Sequence, residues 1–172
     1  MSELRPVRRL ERGDDLSTFD SGESALDNWL RTFALPDQRA SVSATYVLLR
    51  GERVVGFYTL APSSIDPPGQ PTRLTAGLPS ERAVPVILLA RLAIDKSERG
   101  TGLGGDLFRD ALLRSIASAD SIGGRAVLVH AKHEEAAAFY RRHGFEPLPD
   151  NPMHLYRLMK DLRASLPQPK GN

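Results

Sequence analysis

Val84 to Ile94 carries one charge, Arg91, in eleven residues, and with the loop and helix behind it this stretch limits the fold more than any other. An apolar run of this length reads as a buried central strand. A charged loop, Asp95 to Arg99, comes next, then the glycine-rich turn Gly100-Thr101-Gly102-Leu103-Gly104-Gly105. From Gly102 to about Ser118 the pattern is helical, with Leu103, Leu107, Ala111, Leu112 and Ile116 on one face. Strand, glycine loop and helix start together make an anion site. The first N–H groups of a helix have no internal partner and the helix dipole is positive there. Glycine lets a ligand come close to the main chain.

The flanking elements narrow the architecture. Ala44–Leu49 and Arg53–Ala61 read as a hairpin closed at Gly51-Glu52. Ahead of it, Pro6–Leu10 is a short extended piece, and Ser21 to Phe33 reads as a helix. That helix has Leu26, Trp29, Leu30 and Phe33 on its apolar face and Ser21 or Ser24 as its cap, and Pro36 ends or bends it. Pro62 to Arg82 reads as a long loop. Beyond the Gly123-Gly124 break, Ala126–His130 is a parallel strand, Glu134–His143 a helix ended by Gly144, and His154–Met159 a last strand. No repeat or linker divides the chain. One domain over residues 1–164 is expected, with a flexible tail over 165–172.

Composition excludes several chemistries. There is no cysteine, which removes disulfides, thiolate-bound zinc and a cysteine nucleophile. His133, His143 and His154 show no metal-ligand spacing, so no metal is expected. A net charge of +2 is not that of a basic nucleic-acid arm, yet 19 of the 23 cations are arginine, whose planar fork suits phosphate and carboxylate. No segment has the length and apolarity of a membrane span or resembles a signal peptide, so the cytoplasm is the expected compartment.

The glycines alone leave the ligand open. Gly100, Gly102 and Gly105 spell a dinucleotide fingerprint, but fewer than 70 residues come after them and the preceding strands form a hairpin, which leaves no room for two βαβαβ halves. No Gly-Lys-Ser/Thr occurs, so the loop is not a nucleoside triphosphate P-loop. Arg99-x-x-Gly102-x-Gly104 instead resembles the acetyl-CoA pyrophosphate loop of the GNAT superfamily of N-acetyltransferases. The order of elements agrees over most of the chain.

A narrower resemblance rests on separated blocks in the same order. These are Phe19-Asp20-Ser21-Gly22 with Leu26-Asp27-x-Trp29-Leu30, Val54 to Leu60, Leu89 to Asp95, Val129-His130-Ala131, and Ala138-Phe139-Tyr140 with Gly144-Phe145. They look like the GNAT toxins of bacterial toxin–antitoxin modules, with Ser21 standing where those proteins commonly have cysteine. The resemblance implies an α/β (α+β) fold with a single mixed, twisted sheet of about six to seven strands flanked by about four helices. It implies acetyl-CoA as donor, the α-amino group of aminoacyl-tRNA as acceptor, and a block to translation. It also implies a homodimer and a cognate antitoxin, often a ribbon-helix-helix DNA-binding protein.

Carried onto this chain, the resemblance puts the pantetheine arm along the main chain of Leu92, Ala93 and Ile94. The pyrophosphate falls on Arg99, Gly100, Thr101, Gly102, Leu103, Gly104 and Gly105. Tyr140 is the expected general acid, with Phe139 facing the core. An α-amino group titrates near pH 8, roughly, so a dedicated strong base is not needed. Without cysteine, transfer is direct within a ternary complex. Arg91 reads as a tRNA phosphate contact or as one half of a structural ion pair. Arg82 and Lys132, and more weakly Arg73 and Arg39, are candidates for the tRNA-facing surface, and His130 for the acceptor site. Two alternatives stay open: a GNAT acetylating a small amine or a protein N-terminus, and a non-catalytic GNAT that binds CoA or a partner.

Overall fold

Val54–Leu60 is buried without a break, whereas the apolar run Val84–Ile94 is fully buried only at Val84, Val86, Ile87, Leu89 and Ala93. The computed structural model describes residues 2–166. In chain order the elements are β1 (Arg8–Arg9), α1 (Ser24–Thr32), α2 (Ala34–Arg39), β2 (Ala44–Arg50), β3 (Arg53–Ile65), α3 (Thr72–Thr75) and β4 (Val84–Ile94). A 3-10 turn (Lys96–Glu98) leads into α4 (Leu103–Ile122), β5 (Ala126–His130), α5 (Glu134–Arg142), β6 (Glu146–Leu148), β7 (Asn151–Leu158) and α6 (Met159–Ser165). The strands form one mixed sheet in the order β1-β2-β3-β4-β5-β7-β6. Its β4–β5 register is parallel, from Val86↔Ala126 to Leu89↔Val129, and β4 runs on to Ile94. The β1–β2, β2–β3, β5–β7 and β6–β7 pairs are antiparallel.

The chain clusters into two compact units. The first comprises the described residues up to Ala61 together with Ala90–Ala111. Its core gathers Leu10, Phe19, Leu26, Leu30, Ala34, Val47, Leu49, Val54, Phe57 and Ala93. Phe57 is the hub. Phe19 meets it edge-on at 5.6 Å and Trp29 stacks on it at 6.4 Å between ring centroids. The second unit comprises Pro62–Leu89 and the described residues from Leu112 on. Its core joins Ile65, Leu74, Val84, Val86, Ala126, Leu128, Leu148, Tyr156 and Leu158.

Several expectations need correcting at element ends. Neither Ser21 nor Ser24 caps α1: Glu23 is its N-cap and makes no side-chain capping bond, while the Ser21 hydroxyl is committed to Asp27 at 2.6 Å. Phe33 is exposed, because α1 ends at Thr32 and the chain turns into α2. Pro36 lies inside α2, in its first turn, where a missing N–H costs no intrahelical bond. The long loop is shorter than expected, since β3 continues to Ile65 and α3 interrupts the remainder. α4 runs four residues past Ser118, to the glycine pair. Ser165 closes α6 rather than opening a tail, and residues 167–172 of the expected tail lie outside the described residues.

Candidate active site

The glycine loop is built on the carboxylate that closes the Leu89–Asp95 block. Asp95, at the end of β4, is buried and gathers four donors. They are the main-chain N–H groups of Asp20 (2.9 Å) and Ser97 (3.0 Å), the Ser97 hydroxyl (2.8 Å) and the Arg53 guanidinium (2.7 Å). Burial works against its charge, but these hydrogen bonds outweigh it and hold the carboxyl down at about 2. Asp20 returns the link, since its carbonyl accepts from the Lys96 N–H at 2.9 Å. One residue later, Ser21 donates its N–H and hydroxyl to buried Asp27, and its carbonyl accepts from Arg99 at 3.1 Å. Gly22 sits at φ +91, and a Cβ there would lie 2.6 Å from the Arg99 guanidinium. The Phe19-Asp20-Ser21-Gly22 string is thus the brace of the turn that precedes the glycine loop.

A second brace holds the other side of that turn. Glu98 is buried and takes a two-pronged contact from Arg50, at 2.6 and 3.1 Å, which holds its carboxyl below the usual range. The Glu98 carbonyl accepts from the Thr101 hydroxyl at 2.6 Å. Gly100 and Gly102 then take φ of +77 and +86, the left-handed region, and a Cβ at either would meet nothing within 4 Å. The main chain there faces open space. α4 starts at Leu103, so its first N–H groups lack intrahelical partners beside that space. This donor set suits a pyrophosphate. Leu92, Ala93 and Ile94 form the last turn of pleat before Asp95, with Ala93 buried in the core of the first unit. Arg99, placed by sequence among the cofactor contacts, gives one guanidinium N–H to the Ser21 carbonyl.

Tyr140 belongs to the second unit. α5 carries it, and the helix is capped at its start by the His133 ring, which accepts from the Ala136 N–H at 3.1 Å. The Tyr140 ring lies 5.9 Å from Phe145 and 5.5 Å from Phe139. Burial pushes its hydroxyl up to about 12, so it keeps its proton at neutral pH. Phe139 is half-buried rather than in the core, and packs on the His143 ring at 4.4 Å.

Arg91 makes a contact that the sequence did not suggest. It forms no ion pair among the described residues, and its guanidinium lies over the Trp29 ring, 3.9 Å from the centroid. Burial lowers its pKa, with Asp37 opposing. Arg82, Arg39 and Lys132 are exposed, whereas Arg73 is paired with Asp161 at 2.7 Å. His130 stacks on His154 across the β5–β7 ladder, centroids 3.8 Å apart. Partial burial and the neighbouring His154 lower the His130 pKa. No group of three His, Cys, Asp or Glu that could hold a metal occurs among the described residues.

Comparison with known proteins decides the family. The model of the acetyltransferase (GNAT) domain matches residues 41–147, which span β2 to β6 and include the glycine loop. The chain belongs to the GNAT acetyltransferases. Among relatives of this GNAT protein, the tRNA-acetylating toxin of Mycobacterium tuberculosis (strain ATCC 25618 / H37Rv) is 49% identical over 164 residues, 95% of this chain and 98% of that one. Among solved structures, AtaT complexed with acetyl-methionyl-tRNAfMet superposes with a TM-score of 0.85 at 30% identity, covering 94% of this chain and 98% of that one. A tyrosine-to-phenylalanine mutant of AtaT, bound to acetyl-CoA and to the C-terminus of its antitoxin AtaR, gives 0.80 at 30% identity, over 94% and 97%. No helix among the described residues of the GNAT chain is long and apolar enough to cross a membrane.

Proposed function

We propose that this GNAT acetyltransferase moves an acetyl group from acetyl-CoA to the α-amino group of an amino acid esterified to tRNA, which closes that tRNA to elongation and stops translation. The observation that carries the reading is the likeness to the tRNA-acetylating toxin, 49% identical through 95% of this chain. The AtaT complex with an acetylated aminoacyl-tRNA supports the same acceptor class.

Acetyl-CoA bound at the loop supplies an acyl group activated as a thioester. The main-chain N–H groups from Gly100 to Gly105 would hold its pyrophosphate, and the main chain of Leu92 to Ile94 its pantetheine arm. A main-chain N–H near Leu92 or Ala93 would stabilise the oxyanion. Tyr140, set between Phe139 and Phe145, holds its proton through the physiological range and gives it to the leaving sulfur as the C–S bond breaks, and the proton shed by the attacking nitrogen as the amide forms restores it. The acceptor amine needs little help, being partly neutral near pH 8, roughly. Transfer is direct, since the sequence has no cysteine to carry the acetyl group. Arg82, Lys132 and Arg91 are the proposed tRNA contacts. Residues 1–164 act as one catalytic domain in a cytoplasmic homodimer, neutralised by a cognate antitoxin of the ribbon-helix-helix DNA-binding type. The AtaT–AtaR complex supports the antitoxin part of this reading.

Inducible expression in a bacterial host tests it. The wild-type chain arrests growth, and the Tyr140→Phe protein, which still binds acetyl-CoA, does not. Normal growth and unmodified charged tRNA in cells making the folded wild-type protein would overturn the proposal.

A further inference from the structure

Within the second unit, at the end of β5 away from His130, lies a cavity of about 450 Å³ lined by Arg73, Gly124, Arg125, Lys160 and Arg163 among others. Its cations come from α3, the approach to β5, and α6. The Met159 N–H to Arg125 carbonyl bond at 3.0 Å ties the last two together. Each guanidinium is held in place. Arg73 bonds Asp161 at 2.7 Å, Arg163 bonds Asp120 at 2.8 Å, and Arg125 donates to the Ala76 carbonyl at 2.5 Å. Lys160 is exposed and has no ion pair among the described residues. Asp161 and Asp120 pair with Arg73 and Arg163, and Glu146 lies within electrostatic range of Arg73, while Arg125 and Lys160 pair with no carboxylate among the described residues. A guanidinium has five N–H donors, more than the contacts of Arg73 and Arg125 use.

We propose that this cavity binds phosphodiester groups of the RNA backbone, as a second tRNA contact apart from the reaction centre. This rests on the aminoacyl-tRNA reading above. α5, which carries Tyr140, begins after the opposite end of β5 and runs back along it: the His143 carbonyl just past the helix accepts from Arg157, whose register partner is Val127 near the start of β5. A polyanionic acceptor held only by its terminal amino acid would dissociate readily. A preorganised cluster of arginine forks supplies the charge and the bidentate geometry to retain it. An acidic peptide is the competing occupant.

The test is binding of deacylated tRNA to the full-length protein between about 50 and 200 mM salt. The variants are Lys160→Gln and the double variant Arg125→Gln/Lys160→Gln. The slope of log affinity against log salt becomes shallower by about 1 for each cation removed, with weaker binding throughout and unchanged acetyl-CoA affinity. Lys160→Gln, at an exposed unpaired residue, keeps the test valid if the double variant does not fold. Unchanged affinity and slope overturn the proposal. So does loss of binding to an acidic antitoxin peptide with tRNA binding intact, which would assign the cavity to a peptide. Absence of any tRNA binding by the wild-type protein would instead sink the acceptor reading itself.

Discussion

Replacing Asp95 by asparagine tests the brace under the glycine loop. The side chain keeps its size, loses its charge, and turns one acceptor into a donor facing Arg53 and two N–H groups. The magnitude comes from the carboxyl's lowered pKa. Each pH unit is worth about 1.36 kcal/mol, so a fall from 3.8 to about 2 corresponds to roughly 2–2.5 kcal/mol of native-state stability. The sign is that of a depressed acid. The contribution is complete above about pH 4 and drains away as pH falls towards about 2. Asp95→Asn is therefore expected to lose about 2 kcal/mol at pH 7, seen as a melting temperature lower by roughly 4–8 °C for a chain of this length. The gap between variant and wild type should narrow below about pH 4 and be nearly closed at about pH 2. Acetyl-CoA affinity at pH 7 should fall too, since Asp95 ties Asp20 and the 3-10 turn to the start of the loop. Equal stability at pH 7, or a gap that stays constant from pH 7 to pH 2, would refute the reasoning.

Further outcomes rest on the same geometry. Tyr140→Phe should slow single-turnover transfer by about 10²–10⁴-fold with donor affinity unchanged. In the wild-type protein the rate should rise through the acceptor amine's titration and hold its plateau to about pH 10, since burial keeps the Tyr140 hydroxyl protonated there; a decline beginning near pH 10 would show that hydroxyl titrating at its ordinary value. Gly102→Ala meets no neighbour but must hold φ +86, at a cost of about 1–2 kcal/mol. Its methyl would occupy the proposed ligand space, weakening acetyl-CoA by about tenfold or more as measured by calorimetry, the loss of one charge-assisted hydrogen bond; unchanged affinity would move the site elsewhere. A double-mutant cycle of Trp29→Leu and Arg91→Met should return a coupling of about 0.5–1 kcal/mol in urea unfolding, and zero coupling would deny the stacking energetic weight.

The central strand, the glycine loop and the helix after it were legible because each carries a local signal: an unbroken apolar run, clustered glycines, and a 3–4 spacing whose Leu103, Leu107, Ala111, Leu112 and Ile116 are all buried. The family blocks were legible as strings. What they do physically was not. Ser21 reads as a helix cap, yet the work of Phe19-Asp20-Ser21-Gly22 is to hold Asp95, Asp27 and Arg99, partners up to 78 residues away. Long-range acceptance by a buried carboxylate leaves no periodic trace. Its one clue was an acidic residue placed where an apolar strand ends. Arg91 was undecided between phosphate and carboxylate because a cation–π partner on a separate helix has no fixed spacing. His133 as a helix cap, and the His130–His154 stack, likewise depend on register rather than on motif.

Incubation of the purified protein with labelled acetyl-CoA and bulk aminoacylated tRNA tests the central claim most directly. The account predicts label in the RNA fraction that mild base releases as N-acetyl-amino acid, with deacylated tRNA left unlabelled. Label confined to peptides or polyamines, with charged tRNA unmodified, would contradict it.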